Sequence, residues 1–395
     1  MLIRLTLKPG REASVLRRHP WVFSGAVGSH HGDGTDGIAE VADAGGRAMA
    51  HGAYSRESQI RARLWTFDGR LPDLDLFRER FRAARRLREE VVPAGTTGYR
   101  AVNSEGDLCP GVVADVYGGS AVLDLTTEGT EVWEAGIEGA FRDAFSPNRV
   151  VVRRSAARHD SGRRPSPLRP DPFPGEEEAD RVPFDENGLH FLADVSAGQK
   201  TGFFLDQREN RARLRAMAAG RSMLNLFSYS GAFSVAALAG GARRAVDVDS
   251  SEAALALARE HRGLNGFRAD EPDFARADVF EDLRRRVAGS ESWDLVVCDP
   301  PALAKKRGDV DRAARAYKDV NRLAMSLVSS GGFLLSCSCS GLVPAELFQK
   351  IVFSASLEAR ATFAIVARQG AGPDHPVSLD CPEGEYLKGL WLRKT

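Results

Sequence analysis

"RSMLNLFSYSGAFSVAALAGG", residues 221–241, is the stretch whose reading decides the fold. An apolar run leads into a Ser/Gly turn and then into apolar residues at helical spacing, which predicts strand, tight turn and helix. The next segment, "RRAVDVDSSEAALALAREHRGLNG" (243–266), repeats the unit, with Ser251 as the predicted N-cap. "WDLVVCDPP" (293–301) reads as a buried strand stopped by two prolines, and "GGFLLSCSCSG" (331–341) as another. Strands alternating with helices predict a parallel, doubly wound α/β sheet over 185–395.

Upstream the pattern differs. Residues 1–72 read as short β pieces broken by glycine, the pattern of a small barrel. "DLDLFRERFRAARRLREEVV" (73–92) has helical apolar spacing with a basic opposite face. It opens an α+β middle domain, 73–184, with strand candidates "GVVADVYG" (111–118) and "SAVLDLTT" (120–127) and a Pro-rich, charged linker at 163–184.

At 395 residues the chain exceeds one ordinary core, in keeping with several domains. No apolar run approaches the roughly 18 residues of a membrane span, and "MLIRLTLKPGREASV" has no apolar h-region, so a cytoplasmic location is expected. Five scattered cysteines do not form a disulfide framework. The formal charge of +0, from 54 basic and 54 acidic residues, argues against simple electrostatic coating of nucleic acid. It conceals arginine-rich clusters at 11–18, 78–88 and 153–164 and a short basic run at 305–307. Any one cluster reads as a solvated face; together they point to a phosphate-bearing partner.

The chemistry is expected at the carboxyl ends of the strands. Asn225, Phe227, Ser228 and Gly231 belong to a small-residue turn that lets backbone approach a cofactor where a helix begins. Asp249, followed by Ser250, ends the next strand, where a carboxylate can accept both hydroxyls of a ribose or simply start a helix. Asp278, followed by Val279, is a third acid in register. The turn lacks G-x-G-x-x-G, which argues against a dinucleotide, and Asp299 beside Pro300 suits a clamp on a planar base.

These segments, taken in order, resemble the S-adenosylmethionine site of class I methyltransferases. The whole chain resembles the bacterial large-subunit (23S) ribosomal RNA cytosine-5 methyltransferases, the RlmI-like family. "KPGREASVLRRHPWVFSGAV" (8–27) is similar to its N-terminal PUA domain, and "GQKTGFFLDQREN" (198–210) to the signature before the cofactor strand. "YKDVN", "SCSGL", "DHPV" and "PEGEYLKG" follow in family order. Departures are "DLCPG" (107–111), where the family has Asp-Gly-Leu-Pro-Gly, "RRSAARHD", which lacks the acid expected after the serine, and Leu303 in place of an aromatic.

The resemblance implies S-adenosylmethionine as cofactor, no metal, and 23S ribosomal RNA as partner, with no membrane association and a homodimer among the options. Thr201, Phe204, Asp206 and Arg208 are implied at the cofactor, with a structural ion pair as the other reading of Arg208. Arg17, Arg18, Trp21, Arg82, Arg85 and Lys200 are expected to meet RNA.

Cys337 and Cys339 remain. A mutual disulfide is disfavoured because strand residues two apart have Cα atoms about 6.6 Å apart with parallel side chains. Zinc would need more ligands than His375 and Cys381 provide. A buried small hydrophobe is the ordinary fate of cysteine and fits one of the pair. Cytosine C5 accepts a methyl group only after something adds to C6, as a thiolate can. Cys339, nearer the strand end and at the cysteine of the family's "SCSG", is the expected nucleophile, with Asp299 on the N3/N4 edge of the base. A methyltransferase acting on another RNA or a small molecule, and a non-catalytic RNA-binding factor, stand as alternatives.

Overall fold

The computed structural model describes residues 2–155, 180–196, 198–304 and 306–395. Most of the basic segment 153–164 and of the linker 163–184 therefore lies outside the described residues, as does Lys305. Two compact units emerge. One is built from Met1–Phe184, Ala193–Leu205 and Pro373–Gly384, the other from Asp185–Leu192, Asp206–Gly372 and Glu385–Thr395.

The first unit opens with six strands in the order Trp21–Phe23, Ile60–Thr66, Ala48–Tyr54, Ile38–Ala42, Ile3–Leu7, Val27–His31. Leu5, Val41, Ala50 and Leu64 alternate inward and form its core with Val15. Gly52 permits the close crossing between two of these strands, since a Cβ there would lie 1.9 Å from Arg63 O.

The helix expected over 73–92 runs Leu74–Val91, and the Asp73 carboxylate caps it by accepting from Leu76 N at 2.9 Å. Phe77, Phe81 and Ala84 form its buried stripe, and the Phe81 ring meets Phe141 edge-on at 5.9 Å. The strand candidates appear as Val112–Tyr117 and Ser120–Leu125, within a four-stranded sheet completed by Gly98–Asn103 and Arg149–Arg154. The basic cluster at 78–88 is not one solvated face. Arg82 and Arg85 are exposed, whereas Arg88 is buried in a bidentate pair with Asp107, at 2.5 and 2.6 Å.

The second unit is built on a seven-stranded sheet: β1 (Ser222–Leu226), β2 (Arg244–Asp249), β3 (Phe274–Arg276), β4 (Trp293–Cys298), β5 (Val328–Ser338), β6 (Phe363–Gln369) and β7 (Lys388–Lys394). Their order is β3-β2-β1-β4-β5-β7-β6. The helices are α1 (Arg208–Met217), α2 (Ala232–Ala239), α3 (Glu252–Leu264), α4 (Val279–Ala288), α5 (Val310–Leu327) and α6 (Ala345–Glu358). Ser251 caps α3 as expected, accepting from Ala254 N at 3.2 Å. β1 to β5 are parallel, and the interiors of β1, β2 and β4 are largely buried because both faces are covered.

The all-parallel expectation fails at one edge. β7 inserts between β5 and β6 and runs antiparallel to both. No crossover helix precedes β7, so the chain returns by a loop and pairs antiparallel. The chain winds outward from β1 to β3 and then restarts at β4, so the switch in strand order lies between β1 and β4.

Candidate active site

At the carboxyl end of β1 the chain turns sharply. Phe227 and Tyr229 take left-handed φ values of +57° and +46°, costly for non-glycine residues and characteristic of strained functional turns. Gly231 (φ +69°) leads into α2, and a Cβ there would come within 2.7 Å of the Ala258 Cβ. Beneath the turn lies a buried polar net. Asn225 Nδ2 donates to Asp247 Oδ1 at 2.8 Å, Ser234 Oγ to the same oxygen at 2.6 Å, and Arg262 Nη2 to Asp247 Oδ2 at 2.8 Å. Asn225 thus supports the turn from below. His261 does likewise: Leu192 N donates to its Nε2, so Nδ1 carries the proton that goes to Ser230 O at 2.9 Å.

Asp249 ends β2, its carboxylate accepting from Tyr229 N at 2.8 Å and Ser251 N at 2.9 Å. Burial pushes its pKa above the usual value, opposed by those backbone donors. Ser250 beside it is exposed. Asp278 caps α4 through Phe280 N and Glu281 N, directly before the buried Val279. The Phe227 and Phe280 rings meet edge-on at 6.3 Å.

The turn fits the polar end of S-adenosylmethionine. Ser228 is buried, and its Oγ has no hydrogen-bond partner among the described residues. A buried hydroxyl left unsatisfied at a helix entry is a place for a ligand's polar group. Asp249 would take the ribose hydroxyls, and the 228–231 turn with the start of α2 would face the carboxylate-bearing end.

At the ends of β4 and β5 the second group assembles. Cys298 and Cys337 are fully buried with thiol pKa values pushed up by burial, so both are core. Cys339 is the first residue past β5 and only half-buried, with Sγ 3.9 Å from the carbonyl of the buried Pro300. The flanking serines hold it in place. Ser338 Oγ donates to Tyr317 Oη at 3.0 Å, and Tyr317 Oη lies 2.9 Å from Ser340 Oγ.

Asp299 is anchored by a side chain that sequence reasoning does not single out. Gln207 Nε2 donates to Asp299 Oδ2 at 2.8 Å, Asn210 Nδ2 to Gln207 Oε1 at 2.6 Å, and Trp391 Nε1 to Asn210 Oδ1 at 2.9 Å. Lys388 Nζ donates to Ser340 O at 2.6 Å and Tyr386 O at 2.7 Å. Gln207, Asn210, Tyr317 and Lys388 all lie within the segments "GQKTGFFLDQREN", "YKDVN" and "PEGEYLKG", which is the signal that could have found them.

Asp206 accepts from Tyr386 Oη at 2.5 Å, and Arg208 is fully buried with Nε 3.3 Å from Glu209 Oε1. Thr201, Phe204 and Lys200 belong to the other unit. The Thr201 hydroxyl engages Tyr117 and Asp115 there, and the Lys200 ammonium sits 4.6 Å from the centre of the Phe204 ring. In that unit Arg17 and Arg18 are exposed, and Trp21 Nε1 donates to Glu105 Oε1 at 2.7 Å. His375 lies beside Asp374, whereas Cys381 groups with His19 and Glu383, their donor atoms within 4.8 Å. Trp21 N donates to His19 Nδ1, which puts the ring proton on Nε2 towards Glu383 Oε2 at 3.3 Å; that tautomer offers no lone pair to a metal at Nε2.

Comparison with known proteins identifies the family. The family model for S-adenosylmethionine-dependent methyltransferases matches residues 167–388, and a PUA-like domain model matches residues 5–67. Two solved structures share the fold at a TM-score of 0.82 with full coverage of both chains. One is a candidate SAM-dependent methyltransferase from Streptococcus mutans, 21% identical, and the other a candidate methyltransferase in complex with SAH, 22% identical. Ribosomal RNA large subunit methyltransferase I of Serratia proteamaculans is 41% identical over 100% of both chains. The protein of the same name from Salmonella arizonae is 40% identical over 99% of this chain and 97% of its own. Identity at that level from end to end means that the chain belongs to the ribosomal RNA large subunit methyltransferase I family, enzymes that use S-adenosylmethionine.

Proposed function

We propose that the protein methylates C5 of a cytosine in large-subunit ribosomal RNA, with Cys339 as the covalent nucleophile. The observation that carries this reading is the position of the Cys339 thiol. It is half-buried just past β5 and 3.9 Å from the Pro300 carbonyl, beside the strand end that carries Asp299, while Cys298 and Cys337 are sealed in the core. The ribosomal substrate comes from the family and suits the PUA-like module.

S-adenosylmethionine, when bound, supplies an electrophilic methyl group for C5. The target base leaves its stack to reach the ends of β4 and β5. Asp299 holds its N3/N4 edge, accepting from the N4 amine and bringing a proton to N3 as Cys339 attacks, with Gln207 fixing the carboxyl group. Cys339 gives up its thiol proton, and a sulfur lone pair forms the S–C6 bond while the C5–C6 π electrons move to C5. After methylation the C5 proton leaves to a base, the C5–C6 double bond re-forms, and the thiolate departs with the electrons of the S–C6 bond.

RNA carrying 5-fluorocytosine tests the reading, because fluorine at C5 cannot leave as a proton and the adduct persists. The wild-type protein is expected to form a denaturation-resistant RNA adduct mapping to Cys339, and Cys339→Ala none. C5 methylation of cytosine by Cys339→Ala would overturn the covalent mechanism.

A further inference from the structure

Lys388 opens β7 directly across the ladder from Ser338, which makes it a cross-strand neighbour of the residue before Cys339. Its ammonium donates to Ser340 O and Tyr386 O, both neutral carbonyls, and the first belongs to the residue after Cys339. An ammonium has three N–H bonds, so these contacts fix its position without neutralising its charge. Burial draws the Lys388 pKa below the usual lysine value, while negative charge at Cys339 and Glu385 draws it back up.

Among the described residues, ionisable groups around the thiol and around Lys388 come from several elements. Asp299 follows β4, Tyr317 lies on α5, Cys337 on β5, and Glu385 and Lys388 on the approach to β7 and its first residue. Tyr317 stays neutral, its pKa pushed up to about 12 chiefly by burial, and Cys337 is a buried neutral thiol. Asp299 and Glu385 are acids and disfavour a thiolate. Among these described residues Lys388 is the cation, and it is anchored to the same turn that presents the sulfur.

We propose that Lys388 is a positioning residue whose ammonium holds Cys339 as the thiolate near neutral pH. The thiol proton passes to solvent, and the ammonium neither gains nor loses one. An unperturbed thiol is only a few per cent ionised at pH 7, so a fixed cation raises the fraction able to add to C6. The inference rests on Cys339 being the nucleophile, but its central quantity is the ionisation of that thiol, which is measurable without substrate.

The experiment follows iodoacetamide labelling of Cys339 against pH by mass spectrometry, on the full chain and on Lys388→Met and Lys388→Arg. Cys339 in the wild type is expected to titrate below about 8.5, the ordinary thiol value. In Lys388→Met the midpoint is expected to rise by about one unit, which makes labelling at pH 7 about tenfold slower. Methyl transfer should fall by a similar factor at pH 7 and recover towards pH 9, while Lys388→Arg keeps the acid-shifted profile. An ordinary wild-type midpoint overturns the proposal whatever the variants do, as does an unchanged midpoint in folded Lys388→Met, which would leave Lys388 a clamp between strands. If the midpoint moves as expected but Cys339→Ala still methylates RNA, the thiolate proposal stands and the assignment of the nucleophile falls.

Discussion

Gln207 donates to Asp299 Oδ2 at 2.8 Å, and the direction of that bond is dictated from the far side of the core. The Trp391 indole can only donate, so Asn210 must turn its oxygen to Trp391 and its amide nitrogen to Gln207. Gln207 is then left with its own nitrogen facing Asp299. Both hydrogen bonds of Asn210 are buried, which excludes water as a substitute partner there. A hydrogen bond to a charged group contributes about 1.5–3 kcal/mol, so Gln207→Leu is expected to slow methyl transfer about 10- to 100-fold. Cofactor affinity should change by less than about twofold, since no cofactor-facing group is removed. Gln207→Glu keeps the Asn210 contact but sets an acceptor against Asp299 and should be impaired as well. Single-turnover assays with calorimetric cofactor titration check both, and wild-type rates in either variant would remove Gln207 from the positioning of Asp299.

Cys337 provides the internal control for its neighbour. It is fully buried among Leu295, Val297, Leu335 and Trp391, with its thiol pKa held well above the ordinary value by burial. Removing that sulfur leaves a small cavity, and Cys337→Ala is expected to cost about 1–2 kcal/mol in urea unfolding while methyl transfer continues. Loss of activity in a folded Cys337→Ala protein would mean that the sulfurs had been assigned the wrong way round.

Asp249 makes a prediction with a pH sign. Its ionised form accepts from Tyr229 N and Ser251 N, and as the proposed ribose ligand it would offer its remaining lone pairs to the hydroxyls. Asp249→Ala is expected to weaken S-adenosylmethionine binding by about 1.5–3 kcal/mol. Burial raises the pKa, so protonation begins at higher pH than for an ordinary aspartate, and protonation removes acceptor capacity. Affinity in the wild type should therefore fall on acidification while the fold persists, and that fall should be absent in Asp249→Ala. Calorimetry across pH, with circular dichroism at each point, reads both effects.

The doubly wound sheet was legible because β1, β2 and β4 are apolar runs ending in turn or cap residues, a purely local signal. The position of Asp249, Asp299 and Cys339 at strand ends was legible from the same local pattern. What stayed hidden depends on contacts distant in sequence. Asn225 reads as a turn residue, but only the β1–β2 register reveals that its amide is committed to Asp247. Trp391 and Gln207 are 184 residues apart and are joined through Asn210. The insertion of β7 between β5 and β6 set Lys388 beside the cysteine turn, and nothing in the alternation of strands and helices foretold it. Arginine clusters mislead for the same reason, since composition does not tell which guanidinium has a buried carboxylate waiting.

The helix Leu74–Val91 separates those two kinds of arginine. Arg82 is exposed on it, whereas Arg88 is buried, its guanidinium paired bidentately with Asp107 and also donating to the carbonyls of Arg100 and Asp374. If RNA phosphates are gripped by the exposed set, Arg82→Ala and Arg17→Ala should each weaken RNA binding and reduce the slope of log Kd against log salt by about 0.7–0.9 for every phosphate no longer neutralised. Melting temperature and cofactor affinity should not move. Arg88→Ala should behave oppositely, because it strands Asp107 in the interior. Breaking a buried pair costs about 3–5 kcal/mol, so the first sign should be a lower unfolding midpoint, with the salt slope of whatever folded protein remains unchanged. Filter binding of ribosomal RNA fragments at several salt concentrations, alongside thermal unfolding, distinguishes the cases. An unchanged salt slope in both exposed-arginine variants would take Arg17 and Arg82 out of the RNA interface.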